Sequence, residues 1–167
     1  GSQLLPALGH NFTGGKCTNC NIQQGYIGTW GENITWRFDS RNGQLNIFGS
    51  GELGTVESFE GAAIDIIRDN LFSVYVNYGI TSICDEAFDS SEHLNSIVLP
   101  DTITSIGNRS FAHCVSLSNM YIPESVTYLG ARAFYGCTSL SAFHFGGSGI
   151  PEIQEKTFAN CSKLSMI

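Results

Sequence analysis

The chain has 167 residues, a formal net charge of −7 and a charged fraction of only 14%, about half the share usual in soluble proteins. The acidic balance disfavours binding to nucleic acid or to an anionic membrane surface. No apolar run approaches the ~18 residues that a membrane-spanning helix needs, and the length suits one elongated domain or two small ones.

The N-terminal segment, residues 1–28, contains the run GHNFTGGKCTNCN with His10, Cys17 and Cys20. A Cys-x2-Cys pair is typical of half a zinc site, and His10 would be a third ligand. A structural zinc site takes four ligands, and only three are visible nearby. A disulfide, or two reduced thiols in a turn, is the alternative, so we expect no bound cofactor and name these three residues as the metal candidates.

Residues 29–70 are predicted to form a β-hairpin followed by a helix. Apolar and polar side chains alternate over residues 34–38 and 45–49, and Asn42-Gly43 lies between the two runs. This is a strong hairpin signal. Because the ends of a repeat array need covering, we interpret the hairpin as a cap. The apolar residues within 55–70 are spaced like one flank of a helix, which would join the cap to the rest.

The remainder, residues 71–167, is dominated by an internal repeat. Its units are Ile83–Ser105, Ile106–Tyr128, Leu129–Glu152 and the incomplete Ile153–Ile167, and the strand half of a further unit, with Leu71, Val74, Val76 and Ile80, precedes them. A fixed period near 23 residues is the signature of a solenoid, in which each unit buries its apolar face only by stacking on its neighbours. The last unit stops in mid-repeat, so we expect a longer parent protein.

Equivalent positions of the units hold the same residue types. Position one has Ile83, Ile106, Leu129 and Ile153; position six has Phe88, Phe111, Phe134 and Phe158; position nine has Ser91, Cys114, Cys137 and Cys161. Stacking would turn these positions into internal columns. Each phenylalanine lies in a short polar segment that we expect to form one helical turn. The cysteines are predicted to pack in the core rather than form disulfides, because a column of three always leaves one unpaired.

A Leu-x-x-Φ-x-Φ segment, in which Φ is apolar, follows in each unit. Examples are Leu94, Ile97, Leu99; Leu117, Met120, Ile122; and Leu140, Phe143, Phe145. The alternation predicts a strand with one buried face. Pro100 and Pro123 end the first two strands, and a second extended piece carries Ile103, Val126 and Ile150 inward.

By these residues, the chain resembles the BspA-like leucine-rich repeat family of bacterial surface proteins, whose repeat reads approximately I-G-x-x-A-F-x-x-C-x-S-L-x-x-I-x-I-P-x-S-V-T-x. The N-terminal Cys-x2-Cys run and the hairpin also resemble segments that accompany such repeats. Departures are Ser91, Cys84 in place of glycine, and Gly146-Gly147 in place of proline and its neighbour. The resemblance implies a mostly β fold, a right-handed leucine-rich-repeat coil with an N-terminal hairpin cap and a short helix. It also implies an extracellular or cell-surface location with a role in adhesion.

The outward positions of the strands supply the candidate binding site. One exposed column is predicted to contain Tyr75, Val98, Tyr121 and His144, beside a second column of Ser73, Ser96, Asn119 and Ala142. Two tyrosines, a valine and a histidine make an unusually adhesive row, since tyrosine is favoured at interfaces. The alternative is ordinary cross-strand stabilisation by aromatic and β-branched side chains.

No Ser/His/acid set, paired carboxylates or phosphate-binding loop is evident in the sequence, so we do not expect an enzyme. The preferred hypothesis is a non-enzymatic surface module that binds a protein or glycan ligand, host-derived ligands among them. We expect it neither to bind nucleic acid nor to insert into a membrane. A structural stalk that displays another domain is the alternative, and a third hypothesis places an enzyme elsewhere in the parent. No signal peptide is visible behind Gly1-Ser2, which says nothing about export.

Overall fold

The computed structural model describes residues 3–5, 10–13, 16–17, 26–56, 59–60, 67–147 and 151–165. The strands are β1 Gln3–Leu5, β2 His10–Thr13, β3 Lys16–Cys17, β4 Tyr26–Trp30, β5 Ile34–Asp39, β6 Gln44–Gly49, β7 Gly51–Glu52, β8 Phe59–Glu60, β9 Ser73–Val76, β10 Ile80–Ile83, β11 Ser96–Val98, β12 Ser105–Ile106, β13 Asn119–Ile122, β14 Tyr128–Leu129, β15 Ala142–Phe145 and β16 Glu152–Ile153. Within these residues no helix is long and apolar enough to span a bilayer.

Parallel strand pairing confirms that the repeats stack as the coils of a solenoid. One ladder runs β10–β12–β14–β16, and its register sets Ile83 beside Ile106, Ile106 beside Leu129 and Leu129 beside Ile153. The longer strands pair in the same way, β9 with β11 and β13 with β15. Residues one repeat apart in sequence are therefore neighbours in space, as the period predicts.

The predicted hairpin is confirmed, and it joins both ladders directly. Strands β4, β5 and β6 are antiparallel, β6 then pairs in parallel with β9, and β7 pairs in parallel with β10. Gly43 closes the hairpin with a φ of 65°, a conformation that glycine adopts at low cost. Its carbonyl accepts hydrogen bonds from the amides of Phe72 at 2.8 Å and Ser73 at 3.1 Å, which fixes the hairpin against the first coil.

The phenylalanines form a continuous stack through the core, as predicted. Ring centroids are 5.3 Å apart between Phe88 and Phe111, 5.3 Å between Phe111 and Phe134, and 5.7 Å between Phe134 and Phe158. Trp30 of the hairpin meets Phe88 edge-on at 5.9 Å. The hairpin thus continues the aromatic column by one ring, which supports its interpretation as a cap.

Most of the other inner positions are also buried, including Ile103 and Val126 of the second extended piece. Ile97 and Phe145 are only half-buried, and Ile153 of the last described unit is exposed, so its predicted place in the core is wrong. The cysteines of position nine are free thiols in the core, which confirms packing over disulfides. Each thiol donates to a carbonyl of the preceding coil: Cys114 Sγ to Phe88 at 3.2 Å, Cys137 Sγ to Phe111 at 3.1 Å and Cys161 Sγ to Phe134 at 3.1 Å. Burial raises the pKa of the Cys114 thiol, so it stays protonated and unreactive in the fold.

The segments around the phenylalanines are not helical turns, so that prediction is wrong. Residues 85–90, 108–113, 131–136 and 155–160, here called the convex turns, consist of successive hydrogen-bonded turns. Alternate amides donate to the next coil rather than along a helix; Phe88 N donates to Ser110 O, and Phe111 N to Ala133 O, each at 2.8 Å. Stacking makes these inter-coil bonds available, and they compete with helix formation.

The helix predicted over residues 55–70 is also wrong in part. Phe59 and Glu60 form strand β8, which pairs antiparallel with β4 at the edge of the hairpin sheet. Residues 67–68 have helical backbone, and residues 57–58 and 61–66 lie outside the described part of the chain. Ile150 of the second extended piece lies outside it as well.

Candidate functional site

The predicted outward column of the strands exists and extends into the hairpin. Val98 pairs with Tyr75, Tyr75 with Asn46 and Asn46 with Arg37, while Tyr121 pairs with His144 in the second pair of long strands. Strands β11 and β13 are adjacent without a hydrogen-bonded ladder between them. We call the residues Arg37, Asn46, Tyr75, Val98, Tyr121 and His144 the strand-face row.

The centre of the strand-face row is apolar and open to solvent. Tyr75 is 47% exposed, Val98 43% and Tyr121 57%, and His144 is also exposed. The neighbouring residues Ser73, Ser96 and Asn119 give a polar margin to the same face. Large apolar side chains left in water in a row are more typical of a contact surface than of a solvated strand.

Three further exposed aromatic residues lie near the row and were missed by the sequence reasoning. Phe48 of β6 points to the same face as Asn46, Tyr78 follows β9, and Phe72 precedes it. The Phe72 ring stacks on His93 of the next coil with centroids 5.7 Å apart. The alternation through residues 45–49 would have identified Phe48, since it places residue 48 outward when Leu45 and Ile47 are inward.

The Gly146-Gly147 departure from the repeat has a structural explanation at this face. A Cβ atom at Gly146 would overlap the Tyr121 hydroxyl, and one at Gly147 would overlap the Glu124 side chain. The absence of side chains at these two positions therefore gives Tyr121 and Glu124 their space. Alignment of the repeats reveals the departure but not this consequence for the predicted binding residue Tyr121.

The convex turns carry a separate charged cluster centred on Asp89. Arg109 Nη2 lies 2.6 Å and His113 Nδ1 3.2 Å from its two carboxylate oxygens, and the Ser90 hydroxyl donates to it at 3.1 Å. Burial raises the pKa of Asp89, but the hydrogen bonds from Arg109, His113 and Ser90 outweigh burial and hold the pKa below its ordinary value. Asp89 thus links two successive coils through its contacts with Arg109 and His113, and we call this link the clasp.

This cluster contains serine, histidine and aspartate, but not in a catalytic arrangement. A nucleophilic triad requires the serine hydroxyl to donate to the histidine, which in turn donates to the carboxylate. Here Ser90 and His113 both bind Asp89, so no base faces the hydroxyl. The described residues also contain no group of three histidine, cysteine or carboxylate side chains that would hold a metal ion.

The zinc prediction concerns His10, Cys17 and Cys20. His10 begins β2 and Cys17 ends β3, and these strands pair antiparallel through Phe12 and Cys17. The side chains of His10 and Cys17, and the whole of Cys20, lie outside the described residues. The choice between a metal site, a disulfide and free thiols therefore stays as the sequence left it.

The fold and its repeat define the class of protein, a bacterial-type leucine-rich repeat solenoid. Residues 67–167 match the family "BspA type Leucine rich repeat region" in six copies, and the chain belongs to this family. The comparison with curated proteins gives no relative.

Several solved structures are similar. A leucine-rich repeat protein from Eubacterium ventriosum is 21% identical with a TM-score of 0.53, and the match covers 83% of this chain and 42% of that one. The pneumococcal vaccine antigen PcpA is 18% identical with a TM-score of 0.51, covering 81% and 42%. A leucine rich cell surface protein from Faecalibacterium prausnitzii is 32% identical with a TM-score of 0.45, covering 50% and 22%. This chain therefore spans less than half the length of each.

Proposed function

We propose that this chain is a non-enzymatic interaction module of a cell-surface protein, which binds a protein or glycan ligand through the strand-face row. The observation that supports the proposal is the run of exposed Tyr75, Val98 and Tyr121 across successive coils. The repeat family, with its resemblance to surface adhesion proteins, favours an extracellular location, and the name of the Faecalibacterium protein agrees with it.

The geometry of the row suits recognition. Within each pair of long strands the spacing is about 4.8 Å, so Tyr75 lies beside Val98 and Tyr121 beside His144 on one face. Tyrosine buries a large apolar ring at a small entropic cost and keeps a hydroxyl for hydrogen bonding. A Cβ atom at Gly146 would overlap the Tyr121 hydroxyl, so the glycine leaves the Tyr121 ring room on this face.

The test is the double variant Tyr75→Ser with Tyr121→Ser, assayed on a panel of extracellular-matrix proteins and on a glycan array. We expect capture of any bound ligand to fall by at least tenfold, because aromatic residues at the centre of an interface typically contribute more than 1 kcal/mol each. Tyr128→Ser, on the other ladder, is the matched control. Unchanged capture by the double variant would reject the assignment of this face, provided that its thermal unfolding is unchanged.

A structural stalk is the second candidate function. The ladder β10–β12–β14–β16 and the inter-coil bonds of the convex turns link every pair of successive coils from residue 80 to residue 160, which favours a stiff stack. A stalk predicts that no component of the panel binds and that replacing the strand-face tyrosines leaves the adhesion of cells carrying the parent protein unchanged.

A further inference from the structure

The convex turns repeat a second outward position that the strand-face proposal does not use. The residues that occupy it are Glu86, Arg109, Arg132 and Lys156, all with φ between 52° and 57°. This left-handed conformation is costly for residues other than glycine and asparagine. It aligns one charged side chain per coil along the turns, and three consecutive members are cationic.

These cations differ in their pairing. Arg109 is neutralised by Asp89 at 2.6 Å and lies 3.6 Å from Glu86. Within the described residues, Arg132 and Lys156 form no salt bridge. Two unpaired cations one coil apart are unexpected in a chain with a net charge of −7 and eight lysine and arginine residues in all.

The unpaired cations line an open groove of about 450 Å³. We call it the convex groove, and its polar lining residues are Arg109, His113, Arg132, Tyr135, Lys156 and Asn160. The volume lies within the range of ligand-binding clefts. A guanidinium, an ammonium, an amide and a phenol provide hydrogen-bond donors for anionic oxygens, and Arg and Lys form the stronger, charge-assisted bonds.

We propose that the convex groove binds a linear acidic polysaccharide, with Arg132 and Lys156 each holding a sulfate or carboxylate group. The cations repeat at the coil spacing, about 4.8 Å per strand, which is comparable with the length of a sugar unit. Tyr135, held edge-on against His113 with centroids 5.4 Å apart, offers its ring to a sugar face. The acidic surface elsewhere opposes a nucleic acid, whose dense charge would extend beyond this groove.

The experiment measures binding of the full chain to four probes: heparin oligosaccharides, which carry sulfate and carboxylate; oligogalacturonate, which carries a carboxylate on every sugar and no sulfate; neutral dextran; and single-stranded DNA. We expect heparin or oligogalacturonate to bind, and dextran not to. Heparin alone identifies sulfate as the recognised group, whereas both identify the carboxylate. The double variant Arg132→Gln with Lys156→Gln should weaken that binding roughly 100-fold, about tenfold for each lost charge-assisted contact.

The matched control is Arg41→Gln with Lys163→Gln, which removes the same net charge from two exposed residues outside both the groove and the strand-face row. Equal weakening by both double variants would overturn the proposal, because it would show unspecific attraction by net charge. Absence of binding to both acidic oligosaccharides would overturn it too, as would DNA binding of equal strength. Tyr75→Ser with Tyr121→Ser should leave polysaccharide binding unchanged, so this proposal and the strand-face proposal are tested separately.

Discussion

The inner and outer positions of the solenoid behave differently from coil to coil. Inside, phenylalanine recurs at position six in every unit and cysteine in three of the four at position nine. Outside, the strand-face row changes from Tyr75 through Val98 and Tyr121 to His144, and the convex column from Glu86 to Lys156. An inner side chain packs against the equivalent side chains of the neighbouring coils, so its size is constrained, whereas an outer side chain faces solvent or a ligand. The residues that recur in every unit thus form the core, and the residues that differ between units form the exposed surfaces.

The largest effect is expected for the centre of the inner column. Phe111 is fully buried between Phe88 and Phe134, so Phe111→Ala would leave a cavity with no side chain able to fill it. We expect a loss of about 3–5 kcal/mol in the free energy of unfolding, measured by urea denaturation. The outer Tyr121→Ser should change it by about 0.5 kcal/mol or less. Similar losses for the two variants would contradict the distinction between inner and outer positions.

A smaller effect is expected at the cysteine column. Cys137→Ala removes a buried sulfur atom and its hydrogen bond to the Phe111 carbonyl, which still accepts from the Cys114 amide at 3.3 Å, so we expect a loss of about 2 kcal/mol. Cys137→Ser keeps a donor at this position and should recover part of the loss. Urea denaturation measures both.

Thiol labelling provides an independent check. Because burial raises the pKa of Cys114, its labelling by a thiolate-specific reagent should follow global unfolding. Labelling of Cys114 at the rate of a free thiol in native buffer would show that the column is not closed.

The clasp should increase the free energy of unfolding by about 1–2 kcal/mol. This contribution depends on pH. Asp89 has a lowered pKa in the folded state, so its contribution is present above the unfolded pKa of about 3.9 and disappears as pH falls through the lower folded value. We expect Asp89→Asn to destabilise at neutral pH by this amount, reduced because Arg109 is partly exposed.

Unfolding free energies of the wild type and Asp89→Asn should converge below about pH 4, for the reason just given. Asp101→Asn, at an exposed turn, is the control and should differ little from the wild type at any pH. A difference between Asp89→Asn and the wild type that is independent of pH would refute the role of the carboxylate charge.

The period alone was sufficient to predict the stack. A repeat of 23 residues makes Ile83 and Ile106 neighbours whatever the details of the backbone, and the same holds for Phe111 and Phe134. The strand-face column followed because alternation within a strand decides which side chains point outward. These features depend only on which residues lie one repeat apart, and an alignment of the units identifies those residues directly.

Other features were not predictable because they depend on bonds between coils. The convex segments were expected to be helical, but Phe88 N donates to Ser110 O of the next coil, a competitor that no single unit reveals. The clasp of Asp89 with Arg109 and His113 was missed because it joins residues that occupy different positions of their units. The relation between Gly146 and Tyr121 likewise appears only when two coils are superposed.

The smallest effect is expected at the convex turns, where equivalent residues share a backbone conformation but differ in side-chain type. Ser90, His113, Gly136 and Asn160 occupy one position with φ between 58° and 72°, which glycine adopts at low cost and asparagine tolerates better than serine or histidine. Gly136→Ala should cost about 1 kcal/mol, because an L-residue is disfavoured there and its Cβ would lie 3.1 Å from the His113 ring. In the reciprocal pair, Ser90→Gly should be more stable than Ser90→Ala by a similar amount, measured by thermal unfolding. If Ser90→Ala were the more stable, the left-handed conformation would not be the property that these outer positions share, and the alignment of the cationic column would need another cause.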